Sequence, residues 1–386
     1  MDTRATAPVT PTFAERAAAE AFPKSLMTPF LPAATPRLCT VAEIVAFATE
    51  PCTAISLENN ALHSNPTAGN LTLDTNHTVL RLTEVLNRAN EMAPRLENLI
   101  FSGSDQFATV SESHPELLDA LRAHGNLRML AFDGCNLTAH AMDAVVAASL
   151  FTRSRLRTLS LARNVMGAEG ALTLARRLMN NDRLQTLELS STELGATGAQ
   201  ALAEALSAPG GGSGLERLIL GQNGLGDAGA AILGQALARG RGGVLAELDL
   251  SGNGIGQRGG AALASALAAA DDDSRAARLR TLWLSSNSIG GEGAIALAAA
   301  LERRLELHTI GVHGNAITSD GAKELERALR HGRAISRLPG LRHNDAWPDT
   351  QAARIEQFLS RNLDAQHMAG KPPLREWPEE VREDGL

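Results

Sequence analysis

Large aromatic side chains are scarce in this chain, which has no Tyr, three Trp and nine Phe among 386 residues. Leu and Ala carry the apolar composition instead, and this favours many thin, similar layers over one aromatic-centred core. The three Cys include no CxxC pair, so neither a disulfide scaffold nor a zinc site is expected, and a reducing cytoplasm is the predicted location. No apolar run approaches the roughly 18 residues of a membrane span, and no apolar export signal opens the chain. The net charge of −7 argues against nucleic acid or an anionic membrane as partner.

The dominant feature of the sequence is a repeated unit. Six closely matching copies begin at Leu156, Leu184, Leu215, Leu245, Leu279 and Leu307, at intervals of 28, 31, 30, 34 and 28 residues. Weaker copies begin at Cys52, Leu96 and Leu127, which brings the predicted count to nine repeats. A degenerate tenth copy follows from Ile335. An array of this kind builds one elongated domain in which each unit packs on its neighbours.

Each unit predicts a short strand, a turn and a helix. The LxxLxL segment places its Leu side chains on one face of a strand. The GAxALAxAL segment repeats apolar residues with helical spacing. Between them, small polar residues are expected to bond backbone groups of their own turn and of the next one. The residues at this position are Asn164, Asn223, Asn253, Asn287, Asn315 and, as a weaker hydrogen-bonding substitute, Cys135.

Strands and helices that alternate in this way predict an α/β solenoid. Each helix crosses over to the next strand, so the strands pair in parallel. Helices are wider than strands, so the array should curve into a horseshoe with the sheet on its concave face and the helices on its convex face.

These features resemble the leucine-rich repeat proteins of the ribonuclease-inhibitor type over about residues 52–330. The family pattern LxxLxLxxNxLxxxGxxxLxxxL is matched by six of the units. The segments GAEGALTLA, GATGAQALA and GGEGAIALA also resemble the repeats of GALA-type effectors from plant-pathogenic bacteria. The resemblance implies a non-enzymatic protein-binding scaffold, and the effector likeness implies delivery into a host cell by a type III system. The F-box of those effectors is not expected, because Pro29, Pro32 and Pro36 would break its helices.

The flanking sequence predicts four further segments. Residues 1–38 are rich in Pro, Ala and Thr and are expected to be disordered or loosely docked. Residues 39–51 predict an N-terminal cap helix ahead of the repeats at 52–334. Residues 335–366 predict a C-terminal cap with a helix that starts at Pro348 and Asp349, and 367–386 predict a mobile tail.

Motifs for catalysis or cofactor binding are missing from the sequence. It contains no GxxxxGK[ST], GxSxG or HExxH pattern. The Gly-rich segments 208–214 and 238–243 precede strands, whereas a phosphate loop follows one. His308 and His313 fit a polar surface pair better than a metal pair. We therefore predict no enzyme activity, no cofactor and no metal site.

The remaining candidate site is the concave face of the sheet. Its central column is predicted to contain one residue per repeat, namely Ile100, Ala131, Ser160, Glu188, Ile219, Asp249, Trp283 and Gly311. The residues predicted to bind a protein partner are Trp283, Asp249, Glu188, Ile219, Arg217, Arg280, His308, His313 and Arg157. A monomer with a protein partner of unknown identity is expected. A GTPase-activating regulator of the Ran type, which shares this repeat class, is the alternative, and an inhibitor that plugs an enzyme's active site is a third.

Trp283 is the one aromatic residue in that column, and the sequence leaves two roles open for it. It could anchor a partner, since Trp often dominates protein interfaces. It could instead pack within the protein, across Arg280 and His313 or against the C-terminal helix. Gly311 in the next repeat is expected to leave one side of the indole uncovered.

Overall fold

The computed structural model describes residues 38–39, 54–56, 97–101, 115–123, 126–150, 154–240, 243–270, 273–274, 276–303, 307–332, 334–340, 344 and 349–368. The predicted N-terminal segment and cap helix lie outside the described residues except at Leu38–Cys39. Nearly all of the predicted C-terminal tail lies outside them as well. No helix within these ranges is long and apolar enough to cross a membrane.

Ten strands form one parallel sheet in sequence order. They are β1 (Leu38–Cys39), β2 (Ala54–Ser56), β3 (Asn98–Ile100), β4 (Met129–Ala131), β5 (Thr158–Ser160), β6 (Thr186–Glu188), β7 (Arg217–Ile219), β8 (Glu247–Asp249), β9 (Thr281–Trp283) and β10 (Thr309–Gly311). The nine predicted repeats supply β2 to β10. Strand β1 is additional, and it stands where the sequence predicted the cap helix to begin. The degenerate tenth repeat adds a single parallel bridge between Thr309 and Arg337.

Helices alternate with the strands from β3 onward. They are α1 (Pro115–Ala123), α2 (Ala139–Ser149), α3 (Gly167–Leu178), α4 (Gly195–Ser207), α5 (Gly226–Arg239), α6 (Gln257–Ala268), α7 (Gly290–Glu302), α8 (Ser319–His331) and α9 (Asp349–Met368). A 3-10 turn at Ala276–Arg278 precedes β9. The order of one strand and one helix per unit, in an open parallel sheet, is the predicted leucine-rich repeat solenoid.

The core lies between the sheet and the helices. The middle residue of each strand from β3 onward faces it, and Leu282 in β9 is completely buried there. The residue after each of these strands faces it too. At that position β3 and β4 have Phe101 and Phe132, whose rings stack with centroids 5.0 Å apart. Because strand residues alternate between faces, the first and third residues of β3 to β10 must point away from this core. We call that side of the sheet the strand face.

Buried Asn side chains connect consecutive turns at one end of the strands. Asn253 shows the pattern, since its Oδ1 accepts from the backbone N–H of Asn223 at 2.9 Å and its Nδ2 donates to the Leu220 carbonyl at 2.9 Å. Asn164, Asn223, Asn287 and Asn315 make equivalent bonds. Polar backbone groups that the turns leave unpaired are thereby satisfied.

Three other residues occupy the same position. The Cys135 thiol donates a hydrogen bond to the Phe101 carbonyl at 3.2 Å, and the Thr192 hydroxyl donates one to the Leu189 carbonyl at 2.7 Å. Asn344, in the degenerate tenth repeat, accepts from the Asn315 N–H at 2.9 Å. The ladder of turns therefore extends one unit beyond the last strand.

Helix α9 covers the end of the array and begins at Asp349, as the sequence predicted. Its apolar residues Ala352 and Ile355 are buried against the core. Glu326 of α8, 6% exposed, accepts from the Arg354 guanidinium at 2.8 and 3.0 Å and from Gln351. These hydrogen bonds hold the pKa of Glu326 below its ordinary value. Arg361 donates to carbonyls at the C-terminal end of α8, which are otherwise left without helical partners.

Candidate functional site

The central column of the strand face has the predicted register. Ile100, Ala131, Ser160, Glu188, Ile219, Asp249, Trp283 and Gly311 are successive Cα partners across β3 to β10. Adjacent parallel strands are about 4.8 Å apart, so Glu188 and Trp283 stand about 14 Å from each other along this column. The fold therefore brings together residues that are separated by about 30 positions per step in the sequence.

Trp283 is fixed at both edges of its indole. The Nε1–H donates to Oε1 of Glu247 on the neighbouring strand at 2.9 Å. The benzene edge lies over Gly311, where a Cβ would overlap Cε3 and come within 3.0 Å of Cζ3. The expectation that Gly311 leaves one side of the ring uncovered is therefore wrong. The ring occupies the space that a side chain at residue 311 would need.

Trp283 is half-buried and packs on residues of its own chain, and its role as a partner anchor stays a prediction. Its polar edge is satisfied within the protein, and part of the ring stays exposed. An aromatic side chain held in one orientation has less conformational entropy to lose when a partner binds.

Carboxylates occupy the strand face beside this tryptophan. Glu188 is 8% exposed, and its Oε1 accepts from the Ser190 N–H at 2.8 Å. Burial raises the pKa of Glu188 to about 8, and the nearby carboxylates of Asp133 and Asp249 act in the same direction. Asp249 is half-buried, accepts from the Ser251 N–H at 2.8 Å, and has a pKa raised by burial.

Glu247 stands on the same strand as Asp249 and faces the same side. Burial raises its pKa, while the hydrogen bond from Trp283 and the charge of Arg217 oppose that shift. Arg217 in turn donates from Nε and Nη2 to the Thr186 hydroxyl, at 3.1 and 3.0 Å. Its guanidinium is thereby oriented along the face between two neighbouring strands.

Asp133 also belongs to this group, and it was not among the predicted binding residues. It is 4% exposed, and its Oδ1 accepts from the Ser160 hydroxyl and from the Ala162 N–H at 3.2 Å. It stands two positions after the central column, where β6 and β8 have Ser190 and Ser251. Comparing that position across the repeats would have shown an acid among residues that are mostly small.

The other predicted binding residues lie at the ends of the strands. Arg157 and Arg280 each precede a strand and are exposed, while Ile219 is buried between Glu188 and Asp249. His308 precedes β10 and His313 follows it by two residues. Four residues lie between them, and the step from His308 to His313 spans about 16 Å along an extended chain. The described residues contain no group of three or more His, Cys, Asp or Glu that could hold a metal.

Comparisons with known proteins agree with the repeat architecture. A family model described as "Leucine Rich repeat" matches residues 155–175, 181–203, 244–264 and 279–298. No curated protein matches the chain in sequence. Three solved structures share parts of the fold. The leucine-rich repeat-containing protein LegL7 from Legionella pneumophila has 17% identity and a TM-score of 0.49, over 87% of this chain and 99% of that one.

The other two are leiomodin-1 actin-binding site 2 and the tropomodulin C-terminal domain from Caenorhabditis elegans. The first has 18% identity and a TM-score of 0.37, over 44% of this chain and 91% of that one. The second has 12% identity and a TM-score of 0.35, over 41% of this chain and 90% of that one. Likenesses this distant carry no argument about function. The repeated unit, its one strand and one helix per turn, and the four family-model matches make this chain a leucine-rich repeat protein.

Proposed function

We propose that this chain is a non-enzymatic scaffold whose strand face binds another protein. The observation that carries the proposal is the Trp283 indole, held by Glu247 and Gly311 and still partly exposed in the central column of a continuous face. Ten strands at about 4.8 Å spacing offer roughly 40 Å of sheet, which is enough for a domain-sized partner. Trp and Arg are the residues that most often dominate such interfaces.

The test compares partner capture by matched variants. Wild-type protein, Trp283→Ala and Arg280→Glu are used as baits, with Ile295→Ala as the control because Ile295 is 42% exposed on helix α7. We expect both strand-face variants to lose a partner that wild type and Ile295→Ala retain. Circular dichroism checks that each bait is folded, and Arg280→Glu leaves the core untouched because Arg280 is exposed. Equal retention by all four baits would refute the proposal.

We also propose that the protein acts in a cytoplasm, and that this is the cytoplasm of a host cell after bacterial export. The support is the likeness of the GAxALA segments to GALA-type effectors and a Pro-, Ala- and Thr-rich N-terminal sequence. Cys135 is a buried free thiol, as a reducing compartment allows. A reporter fused to residues 1–50 should be exported by a type III secretion system. Export that persists without that system, or no export at all, would contradict this location.

A further inference from the structure

We propose that the strand face recognises a basic segment of its partner, and that one Lys or Arg side chain of this segment lies between Glu188 and Asp249, beside Trp283. This inference rests on the proposed function, because it names the chemistry of the partner at that same face. The proposed function gives the location of the interface, and the basic segment adds the charge of the partner.

The positions of the residues define the space that the cation would occupy. Glu188, Ile219, Asp249 and Trp283 are Cα partners on four successive strands. The two acids are therefore about 10 Å apart at their Cα atoms, and a single ammonium or guanidinium group that lies above the Ile219 side chain can approach both. Ile219 offers no polar group that would compete for either carboxylate.

The indole of Trp283 is the next surface along the column. The methylene stem of a Lys or Arg can lie on an apolar ring while its charged end reaches an acid. A cation near the ring face is attracted by the aromatic quadrupole as well. Trp283 and Asp249 together thus suit the two parts of one long basic side chain.

The sign of the expected charge follows from how the two acids are bonded. Glu188 accepts from Ser190, and Asp249 accepts from Ser251, each within its own turn. Within the described part of the chain, neither carboxylate forms an ion pair with an Arg, Lys or His. Ionising such a carboxyl group without a counter-charge is costly, as the raised pKa values of both acids indicate, and a cation supplied by a partner would offset that cost.

Arg217, on the strand between those of Glu188 and Asp249, is already engaged elsewhere. Arg217 bonds Thr186, and its charge acts on Glu247. The charged groups that act on Glu188 are the acids Asp133, after β4, and Asp249, on β8. The uncharged residues beside it in the column are Ser160 on β5 and Ile219 on β7. Glu188 and Asp249 are therefore two acids of this face whose pKa values no Arg, Lys or His of the described residues lowers.

Binding should consequently depend on pH. The pKa of Glu188 is raised to about 8 by burial, so this side chain is mainly protonated at neutral pH. A cationic partner favours the ionised form, and its binding would release a proton. The affinity should rise as pH increases from about 6 to about 9, and Glu188→Gln should reduce that rise.

Labelled peptides provide the direct test on the full-length chain. The probe is a fluorescein-labelled peptide of five Ala-Arg repeats. Two matched peptides replace Arg by citrulline, which keeps the shape without the charge, or by Glu. Binding is followed by fluorescence anisotropy at pH 8.5 and at several salt concentrations. We expect the Arg peptide to bind and the other two to bind at least tenfold more weakly.

Matched variants separate this site from the overall charge. The double variant Glu188→Gln/Asp249→Asn keeps acceptor oxygens for the Ser190 and Ser251 amides and should lose at least tenfold in affinity. The control Glu292→Gln/Asp143→Asn removes two exposed acids from helices α7 and α2. It has the same net charge as the test variant and should bind within twofold of wild type.

Several outcomes would overturn the inference. Equal losses in the test and control variants would show that the net charge of −7 attracts the peptide without a defined site. Equal binding of the citrulline peptide would show that charge is not recognised. Capture of a partner that is lost with Trp283→Ala but kept with Glu188→Gln/Asp249→Asn would refute the basic segment and leave the proposed function intact. Failure of the strand-face variants to affect any partner would refute the proposed function itself.

Discussion

Glu188→Gln should stabilise the folded protein at alkaline pH and have little effect at pH 4.5. The substitution removes an ionisable carboxyl group that is 8% exposed on the strand face. The amide oxygen of Gln can still accept the Ser190 N–H that Glu188 accepts at 2.8 Å. Charge is thus the main property that changes.

The magnitude follows from the pKa of Glu188, which burial raises from 4.5 to about 8. Between these two values the folded state holds a proton that the unfolded state has released, so stability falls as pH rises. Each unit of pKa corresponds to about 1.4 kcal/mol, which gives a loss of about 5 kcal/mol by pH 8 as an upper bound. The Gln variant has no carboxyl group to ionise here and keeps its stability. The difference in free energy of unfolding between the variant and wild type should therefore grow from pH 4.5 to about pH 8 and then stay constant.

Urea unfolding of both proteins at intervals from pH 4.5 to pH 9 measures this difference. Asp249 and Glu247 also have raised pKa values, but both proteins contain them, so the difference isolates Glu188. Glu292→Gln serves as a control, because Glu292 is exposed on helix α7 and its loss should not produce a pH-dependent difference. A difference between Glu188→Gln and wild type that does not change with pH would refute the assignment of a buried, protonated carboxyl group.

Three further perturbations test other contacts. Asn253→Ala should lower the free energy of unfolding by about 3 kcal/mol, because buried amides and carbonyls of adjacent turns lose their hydrogen-bond partner. A change below about 0.5 kcal/mol in urea unfolding would show that the Asn side chains do not stabilise the turns. Gly311→Ala should lower the melting temperature, because the new methyl group overlaps the indole of Trp283, and the effect should largely disappear in a Trp283→Ala background. Arg354→Ala should loosen helix α9 by removing a charge-assisted pair to Glu326, seen as faster hydrogen exchange in that helix. Because the pKa of Glu326 is lowered, the stability that its pair with Arg354 contributes should be present above the ordinary carboxyl pKa of 4.5 and be lost as pH falls below that value. Hydrogen exchange in α9 that is unchanged in Arg354→Ala would contradict a stabilising role for the pair.

Much of the fold could be predicted because each repeat determines its own local structure. Leu282 and Trp283 are neighbours in sequence, and a strand must place them on opposite faces. Aligning the repeats then gives the column and its register, since every unit crosses over to the next in the same way. Strand β1 could not be predicted in this way, because Leu38–Cys39 is too short to show a period. Its pairing with β2 identifies it as a strand.

The sequence by itself therefore determined the repeat, the solenoid, the position of the Asn ladder and the residues that share the strand face. The tertiary structure alone decided how those side chains interact. The seating of Trp283 over Gly311, its hydrogen bond to Glu247 and the burial that raises the pKa of Glu188 all depend on rotamers and lateral packing. These contacts join residues about 30 positions apart, and no periodicity within one repeat encodes the distance or the solvent exposure that they create.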